Sequence, residues 1–190
     1  MSKIKMGIAI CGSFCTFSKI ISILEDLAGK YEITPILSEL AASMDTRFGK
    51  AEEFTAQVEK ICGVPAIKTI AQAEPIGPKG LFDVLVVAPC TGNTLAKLAV
   101  GVTDTSVTMA CKAQLRNARP LVIAVSTNDG LSTNSKNISA LYNKKNVFFV
   151  PFGQDDANGK PTSLVADFSS IEHTVEAALT GTQLQPVILP

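Results

Sequence analysis

The chain has 190 residues, 46% of them hydrophobic, and its 17 basic and 17 acidic side chains cancel. This length suits one domain with a single core and is short for two, so we expect one domain spanning residues 1–190. The charge balance disfavours a broad surface for nucleic acid or an anionic membrane. Any bound anion would therefore have to be held by a few local groups.

The N-terminal segment MSKIKMGIAICGS lacks the long apolar run of a signal peptide and predicts a first strand. No stretch approaches the roughly 18 apolar residues that a transmembrane helix requires. The five cysteines are odd in number, form no CxxC pair and accompany a single histidine, which disfavours a disulfide framework or a metal site. We expect a cytoplasmic protein without a metal.

Strand-like and helix-like segments alternate along the chain. In chain order, the pattern predicts strand 4–11, helix 17–29, strand 32–38, helix 49–63, a connection with a short strand or turn at 65–80, strand 81–89, helices 92–100 and 104–117, strand 120–126, helix 133–143, strand 146–152, a polar loop at 153–163 and a last helix ending near residue 181. Such alternation predicts an α/β fold whose mostly parallel sheet has helices on both faces.

Three local features refine this prediction. Pro35 indicates either an edge position or an irregular end for the second strand, because proline has no N–H to donate to a neighbouring strand. Ser169 and Glu172 have the spacing of a capping box at the start of the last helix. The apolar tail QLQPVILP is suited to docking on another surface, such as a neighbouring subunit.

The residues that follow four of the predicted strands include small hydroxyl or amide side chains at each one. They are Gly12, Ser13 and Phe14, then Ser38, then Pro89 to Thr94, and finally Ser126, Thr127 and Asn128. Parallel sheets bind ligands at the carboxyl ends of their strands, and hydroxyls and free N–H groups at helix N-termini suit a phosphate. At any single site, the alternative is that the side chain only caps its own helix. The turn CGSFC is not GxGxxG, so a mononucleotide is favoured over a dinucleotide.

The segment PCTGNTLAKLAVGVTDT resembles the PASANT-type motif of the flavoprotein family that includes homo-oligomeric flavin-containing cysteine decarboxylases and flavin prenyltransferases. The resemblance implies a three-layer Rossmann-like fold, bound FMN and a homo-oligomer, either a trimer or a multiple of trimers. By position, it assigns the phosphate and ribityl end of FMN to Gly12, Ser13 and Ser38, with Phe14 in the same turn. It places Thr91, Gly92, Asn93 and Thr94 along the cofactor, with Ser126 and Thr127 closing the site.

Within this family, GIAICGSFCTFSKI and VIAVSTNDGLS most resemble a branch whose members form one subunit of a two-subunit enzyme that makes pyridine-2,6-dicarboxylate. The branch implies dehydration and oxidation of a cyclic product of the lysine pathway, in the mother cell of a spore-forming bacterium. It also implies a partner subunit that binds NADP. Two alternatives remain open, a non-catalytic flavin-binding or scaffolding subunit and a flavin-dependent decarboxylase. The decarboxylases' early-helix histidine is absent between Ala41 and Gly63.

Individual side chains complete the hypothesis. Asn93, which offers both a donor and an acceptor, is the candidate catalytic residue. Arg47 is favoured over Lys50 and Lys97 as the partner of a substrate carboxylate, because arginine binds carboxylates through two parallel hydrogen bonds. Cys90 is interpreted as a buried filler, and the lone His173 as a residue of the surface or of helix packing.

Overall fold

The computed structural model describes residues 3–190. Its strands are β1 (Lys5–Ile10), β2 (Glu32–Leu37), β3 (Val84–Cys90), β4 (Leu121–Thr127), β5 (Val147–Phe149), β6 (Phe152–Gly153) and β7 (Leu164–Ala166). Its helices are α1 (Phe17–Ala28), α2 (Glu39–Ser43), α3 (Ala51–Cys62), α4 (Ile70–Ala73), α5 (Ile76–Lys79), α6 (Gly92–Val100), α7 (Ser106–Arg116), α8 (Ser135–Tyr142) and α9 (Ile171–Leu179), with short 3-10 turns at Phe14–Thr16 and Phe168–Ser170.

One seven-stranded sheet organises the molecule. The strand order is β2-β1-β3-β4-β7-β6, and β5 pairs with β4. Strands β1 to β5 pair in parallel, whereas β7 pairs antiparallel with both β4 and β6. The predicted α/β fold with a mostly parallel sheet flanked by helices is confirmed, and the antiparallel extension was not foreseen.

The centre of the sheet is fully apolar, as expected for parallel strands covered on both faces. Every residue of β3 is buried, and so is β4 up to Ser126. Strand order reverses between β1 and β3, because β2 continues the sheet on one side and β4 on the other. The crevice at this switch point is where sheets of this kind bind ligands.

The second strand lies at an edge, one of the two alternatives that Pro35 indicates. The short strand or turn expected in the 65–80 connection is present only as one parallel bridge from Ile67 to Ile36 of β2, and the helices α4 and α5 follow it. A second difference lies at 146–152, where the predicted strand breaks into β5 and β6. Pro151 stands between these two strands and has no N–H to continue a ladder.

The predicted capping box on the last helix is wrong. The Asp167 carboxylate accepts hydrogen bonds from the Ser169 backbone N–H at 3.1 Å and from its hydroxyl at 2.6 Å, so Ser169 belongs to a preceding 3-10 turn. The helix itself begins at Ile171. Glu172, the expected second half of the box, instead forms an ion pair with Lys30 at 2.7 Å.

The apolar tail packs on its own chain. The Phe152 N–H donates to the Val187 carbonyl at 3.0 Å, and the Leu189 N–H donates to the Phe152 carbonyl at 2.9 Å. The Gln183 side chain is hydrogen-bonded to both the N–H and the carbonyl of Phe149. These backbone groups are thus occupied within one copy. As for a membrane, no helix in residues 3–190 combines the length and apolarity that spanning it would take.

Candidate functional site

An open cleft of about 530 Å³ lies at the carboxyl end of the sheet. The residues after β1, β3 and β4 form its floor, and the segments around Arg47 and 155–165 form its walls. Eight of the predicted site residues line it, namely Gly12, Ser13, Phe14, Arg47, Thr91, Gly92, Ser126 and Thr127. The fold therefore brings together side chains that are more than 100 positions apart in the chain.

Three predicted residues do not line this cleft. Ser38 accepts a hydrogen bond from the Ala41 N–H at 3.2 Å and so caps α2. Thr94 is buried and is hydrogen-bonded to Cys11 Sγ and to Thr91 Oγ1, both at 3.3 Å. Asn93 is exposed in the first turn of α6. The catalytic assignment of Asn93 stays a prediction.

Two of the cleft residues occupy N-cap positions without capping. The side chains of Ser13 and Thr91 accept no hydrogen bond from a backbone N–H of the helical turns that they precede. The Thr91 hydroxyl lies 3.3 Å from that of Thr94 in the first turn of α6. The Ser13 hydroxyl is instead 2.9 Å from that of Ser126, which joins the ends of β1 and β4. The first N–H groups of a helix need partners, and an anion can satisfy them. Neither side chain caps its turn, and the assignment of both residues to FMN stays a prediction.

A carboxylate two residues beyond the end of β4, that of Asp129, contacts the cleft residue Thr127. Asp129 accepts a hydrogen bond from the Thr127 hydroxyl at 2.5 Å and two from the Asn134 amide at 2.9 and 2.8 Å. The hydrogen bond from Thr127, supported by those from Asn134, holds the pKa of the Asp129 carboxyl below its ordinary value. A carboxylate held in this way is a poor proton acceptor, so Asp129 is suited to orienting Thr127.

The cleft carries more positive than negative charge. Arg47 lines it as expected, and so do Lys19 and Lys160, which the sequence did not single out. The cleft also contains the carboxylate of Asp155, which is 3.4 Å from the Lys160 ammonium. The pKa of Asp155 is lowered, chiefly by a hydrogen bond from Ser163. The rejected candidate Lys97 is paired with Asp104 at 2.9 Å. An anionic ligand suits this arrangement.

Aromatic rings flank the same cleft. Phe14 lines it, and its ring centroid is 5.3 Å from that of Phe17, which stacks on Phe54 at 3.9 Å. Phe48 lines the cleft as well, and the Arg47 guanidinium lies 4.9 Å from the centroid of its ring. Such rings offer flat apolar contact to a planar ligand.

Two further side chains were weighed from the sequence. Cys90 is fully buried, and burial raises the pKa of its thiol well above the ordinary value, so the geometry supports a filler and not a thiolate. His173 is exposed on α9 and does not line the cleft. Neither residue contributes chemistry at the strand ends.

Comparison with known proteins agrees with this architecture. Residues 1–178 match the sequence profile of the Flavoprotein family. The chain is 42% identical over 186 residues to the B subunit of dipicolinate synthase from Bacillus subtilis (strain 168), covering 97% of this chain and 93% of that protein.

Solved structures give the same result. The crystal structure of the dipicolinate synthase B subunit from Bacillus halodurans C superposes with a TM-score of 0.90 at 40% identity, covering 98% of this chain and 96% of that one. The FMN-dependent cysteine decarboxylase SpaF shares the fold alone, with a TM-score of 0.67 and 20% identity over 93% of this chain and 95% of the other. By sequence and by fold, the chain belongs to the Flavoprotein family.

Proposed function

We propose that the chain is the B subunit of a dipicolinate synthase, that it binds FMN in the cleft, and that it works with an A subunit that binds NADP. The similarity to the two Bacillus proteins supports the role. The finer assignments depend on the chemistry of the cleft. FMN, when bound, supplies an acceptor for a hydride.

The observation that carries FMN binding is the pair of unused N-caps. The hydroxyls of Ser13 and Thr91 accept no backbone N–H of the turns that follow them, and Ser126, at the end of β4, is hydrogen-bonded to Ser13. A phosphate is bound by several hydrogen-bond donors at once, and Ser13, Thr91 and Ser126 all line the same cleft. Phe14 supplies an aromatic surface beside them. The residues present therefore fit a flavin mononucleotide.

The walls of the cleft suit a dicarboxylate. Arg47 and Lys19 both line it, and neither forms an ion pair within 4.0 Å among residues 3–190. A dianionic substrate would be attracted by both cations, and Arg47 can bind a carboxylate through two parallel hydrogen bonds. We propose Arg47 as the substrate carboxylate contact.

The reaction consists of two balanced steps. A cyclic hydroxylated precursor loses one water to give a dihydropyridine dicarboxylate. That ring then loses a hydride and a proton and becomes the aromatic pyridine-2,6-dicarboxylate. The chain's own contribution is to bind and orient the dianion, and the hydride acceptor would be FMN here or NADP on the partner.

One observation favours a second function, a flavin-binding or scaffolding subunit without its own catalysis. Within residues 3–190, the cleft is lined by no histidine or glutamate, and its aspartate, Asp155, is already paired with Lys160. A general base would need to be unpaired and within reach of the substrate. On this account the proton acceptor would come from the A subunit.

The deciding experiment uses the purified chain, alone and mixed with its A subunit. FMN binding is measured by absorption and by the rise in melting temperature on adding FMN. Formation of dipicolinate from the lysine-pathway precursor is followed in the ultraviolet with and without NADP. Turnover that requires both chains supports the synthase, and turnover by the A subunit alone favours the scaffold. A chain that stays colourless and gains no stability from FMN removes the cofactor.

Assembly and location belong to the same proposal. Val100, 74% exposed, and Val102 lie at the end of α6 as uncovered apolar side chains, which suits a contact between copies. We propose a homo-oligomer, a trimer or a multiple of trimers, in the cytoplasm of the mother cell. Light scattering of the purified chain measures the first, and a fluorescent fusion followed through sporulation the second.

A further inference from the structure

We propose that Thr127 is a fixed hydrogen-bond acceptor in the cleft and that it binds a donor group of the flavin outside the phosphate, either a ring N–H or a ribityl hydroxyl. This inference rests on the proposed binding of FMN and adds to it the orientation of the flavin in the cleft. It assigns the phosphate to the Ser13 side and the hydroxyl or N–H part to the Thr127 side.

The first step is the direction of one hydrogen bond. A threonine hydroxyl has a single hydrogen, and that of Thr127 is donated to Asp129 Oδ1 at 2.5 Å. An ionised carboxylate has no hydrogen to donate and can only accept. The hydrogen bonds to Asp129 keep the pKa of its carboxyl below the ordinary value, which favours this ionised form. Thr127 lines the cleft, and because its one hydrogen is already donated, its oxygen can form a further hydrogen bond only as an acceptor.

The second step is that buried amides fix this arrangement. Asn134, which is 4% exposed, uses its Nδ2 for both oxygens of Asp129, and its Oδ1 accepts from Asn137 Nδ2 at 2.8 Å. Because Oδ1 is already occupied, the Asn134 amide cannot turn over without losing both sets of hydrogen bonds. Asn137 thus donates to Asn134, and Asn134 donates to Asp129. This order fixes Asp129 as the acceptor of the Thr127 hydroxyl.

The third step is the contrast with the neighbouring hydroxyls. In the pair Ser13 and Ser126, 2.9 Å apart, either oxygen can be the donor, so one hydrogen remains for an outside acceptor. The Thr91 hydroxyl, 3.3 Å from that of Thr94, is likewise not restricted to accepting. An unprotonated phosphate only accepts hydrogen bonds, so it is matched by these hydroxyls and mismatched by Thr127, which also has the Asp129 charge behind it.

The test compares FMN with riboflavin, which lacks the phosphate, as probes of the intact chain. Thr127→Val, which keeps the shape and loses the oxygen, is expected to weaken both flavins by a similar factor of about tenfold. Thr127→Ser keeps the acceptor and is expected to retain binding within about threefold. Ser13→Ala is expected to weaken FMN more than riboflavin. Thr180→Val, at the exposed end of α9, controls for the substitution itself.

Dissociation constants are measured by quenching of flavin fluorescence, and the melting temperature of each variant without ligand confirms folding. If Thr127→Val weakens FMN and leaves riboflavin unchanged, Thr127 is a phosphate contact and the inference is overturned. Unchanged binding of both flavins by a folded Thr127→Val chain overturns it as well. A wild-type chain that binds neither flavin overturns the proposed function and this inference together, so the two failures are distinguishable.

Discussion

The ends of β1 and β2 carry serines of the same chemistry and use them differently. Ser38, after the edge strand β2, accepts from the Ala41 N–H and completes its own helix. Ser13, after β1, leaves its helical turn uncapped and contacts Ser126 across the cleft. An N-cap serine thus stabilises the fold when its oxygen is used locally and becomes available to a ligand when it is not. Residue type alone cannot separate the two cases.

The largest expected effect comes from Gly92, which lines the cleft and packs against the hydrogen-bonded group of Thr127, Asp129 and Asn134. A Cβ on Gly92 would lie 2.5 Å from both Thr127 Oγ1 and Asn134 Nδ2 and 2.8 Å from Asp129 Oδ1. Gly92→Ala should therefore destabilise the chain by about 2 kcal/mol, as overpacked buried sites do, and weaken FMN binding by more than about tenfold.

Urea denaturation and flavin titration measure the two effects. Gly29→Ala is the matched control, because its Cβ would meet its nearest neighbour, the Asp26 carbonyl, at 3.8 Å. A Gly92→Ala chain that is as stable as wild type and binds FMN equally well would contradict this prediction. It would show that Thr127, Asp129 and Asn134 do not need the close approach of Gly92.

The two serines provide the direct test of the comparison. Ser38→Ala should lower the free energy of unfolding by about 1 kcal/mol through loss of a cap, with FMN affinity changed less than about threefold. Ser13→Ala should lower FMN affinity by about tenfold, through loss of a hydrogen bond to a charged group, and change stability less. The same two measurements apply. The reverse pattern would return Ser38 to the phosphate site, where the sequence places it.

A smaller effect is expected on the wall of the cleft. Arg47→Ala should raise the KM for the dicarboxylate by about fivefold to tenfold and leave kcat nearly unchanged, because an exposed contact of this kind is partly screened by solvent. Steady-state assays with the A subunit measure it. Lys50→Ala, three positions away and not lining the cleft, is the control. Equal effects of both substitutions would mean that only the general charge of the segment matters.

The smallest effect concerns pH. The pKa of Asp129 is lowered from 3.8 in the folded chain, so its hydrogen bonds stabilise the fold above that value and the stabilisation is lost as the pH falls through the folded pKa. The difference in stability between wild type and Asp129→Asn should therefore shrink below about pH 4. Denaturation at several pH values measures it. A difference that stays constant down to about pH 2 would show that the carboxylate is not the stabilising form.

The sequence predicted the parts of the site that depend on local pattern. Alternation of strands and helices places Gly12, Thr91 and Ser126 at one edge of a parallel sheet, and the structure brings them together. The pattern could not show which hydroxyls were already used, because the capping contact of Ser38 depends on backbone geometry. Spacing alone also suggested the capping box at Ser169, where Asp167 competes for the same N–H.

Other parts of the site depend on contacts between distant segments. Lys160 reaches the cleft from a polar loop that carries no motif, and it does so because β7 returns antiparallel to the end of β4. Asp129 lies only two positions from Thr127, so the signal was present in the sequence as a carboxylate just beyond a strand end. Reading two residues further along that strand end could have found it.

The docked tail has a consequence for self-association. Strand β6 ends the sheet on one side, and residues 187–189 pair with Phe152 there; on the other side, the Leu37 N–H donates to the Ile67 carbonyl at 2.8 Å. Exposed strand edges template intermolecular β-pairing and aggregation. Because short segments of the same chain occupy backbone groups at both margins, copies of this protein should associate through side chains on helices and not by extending the sheet.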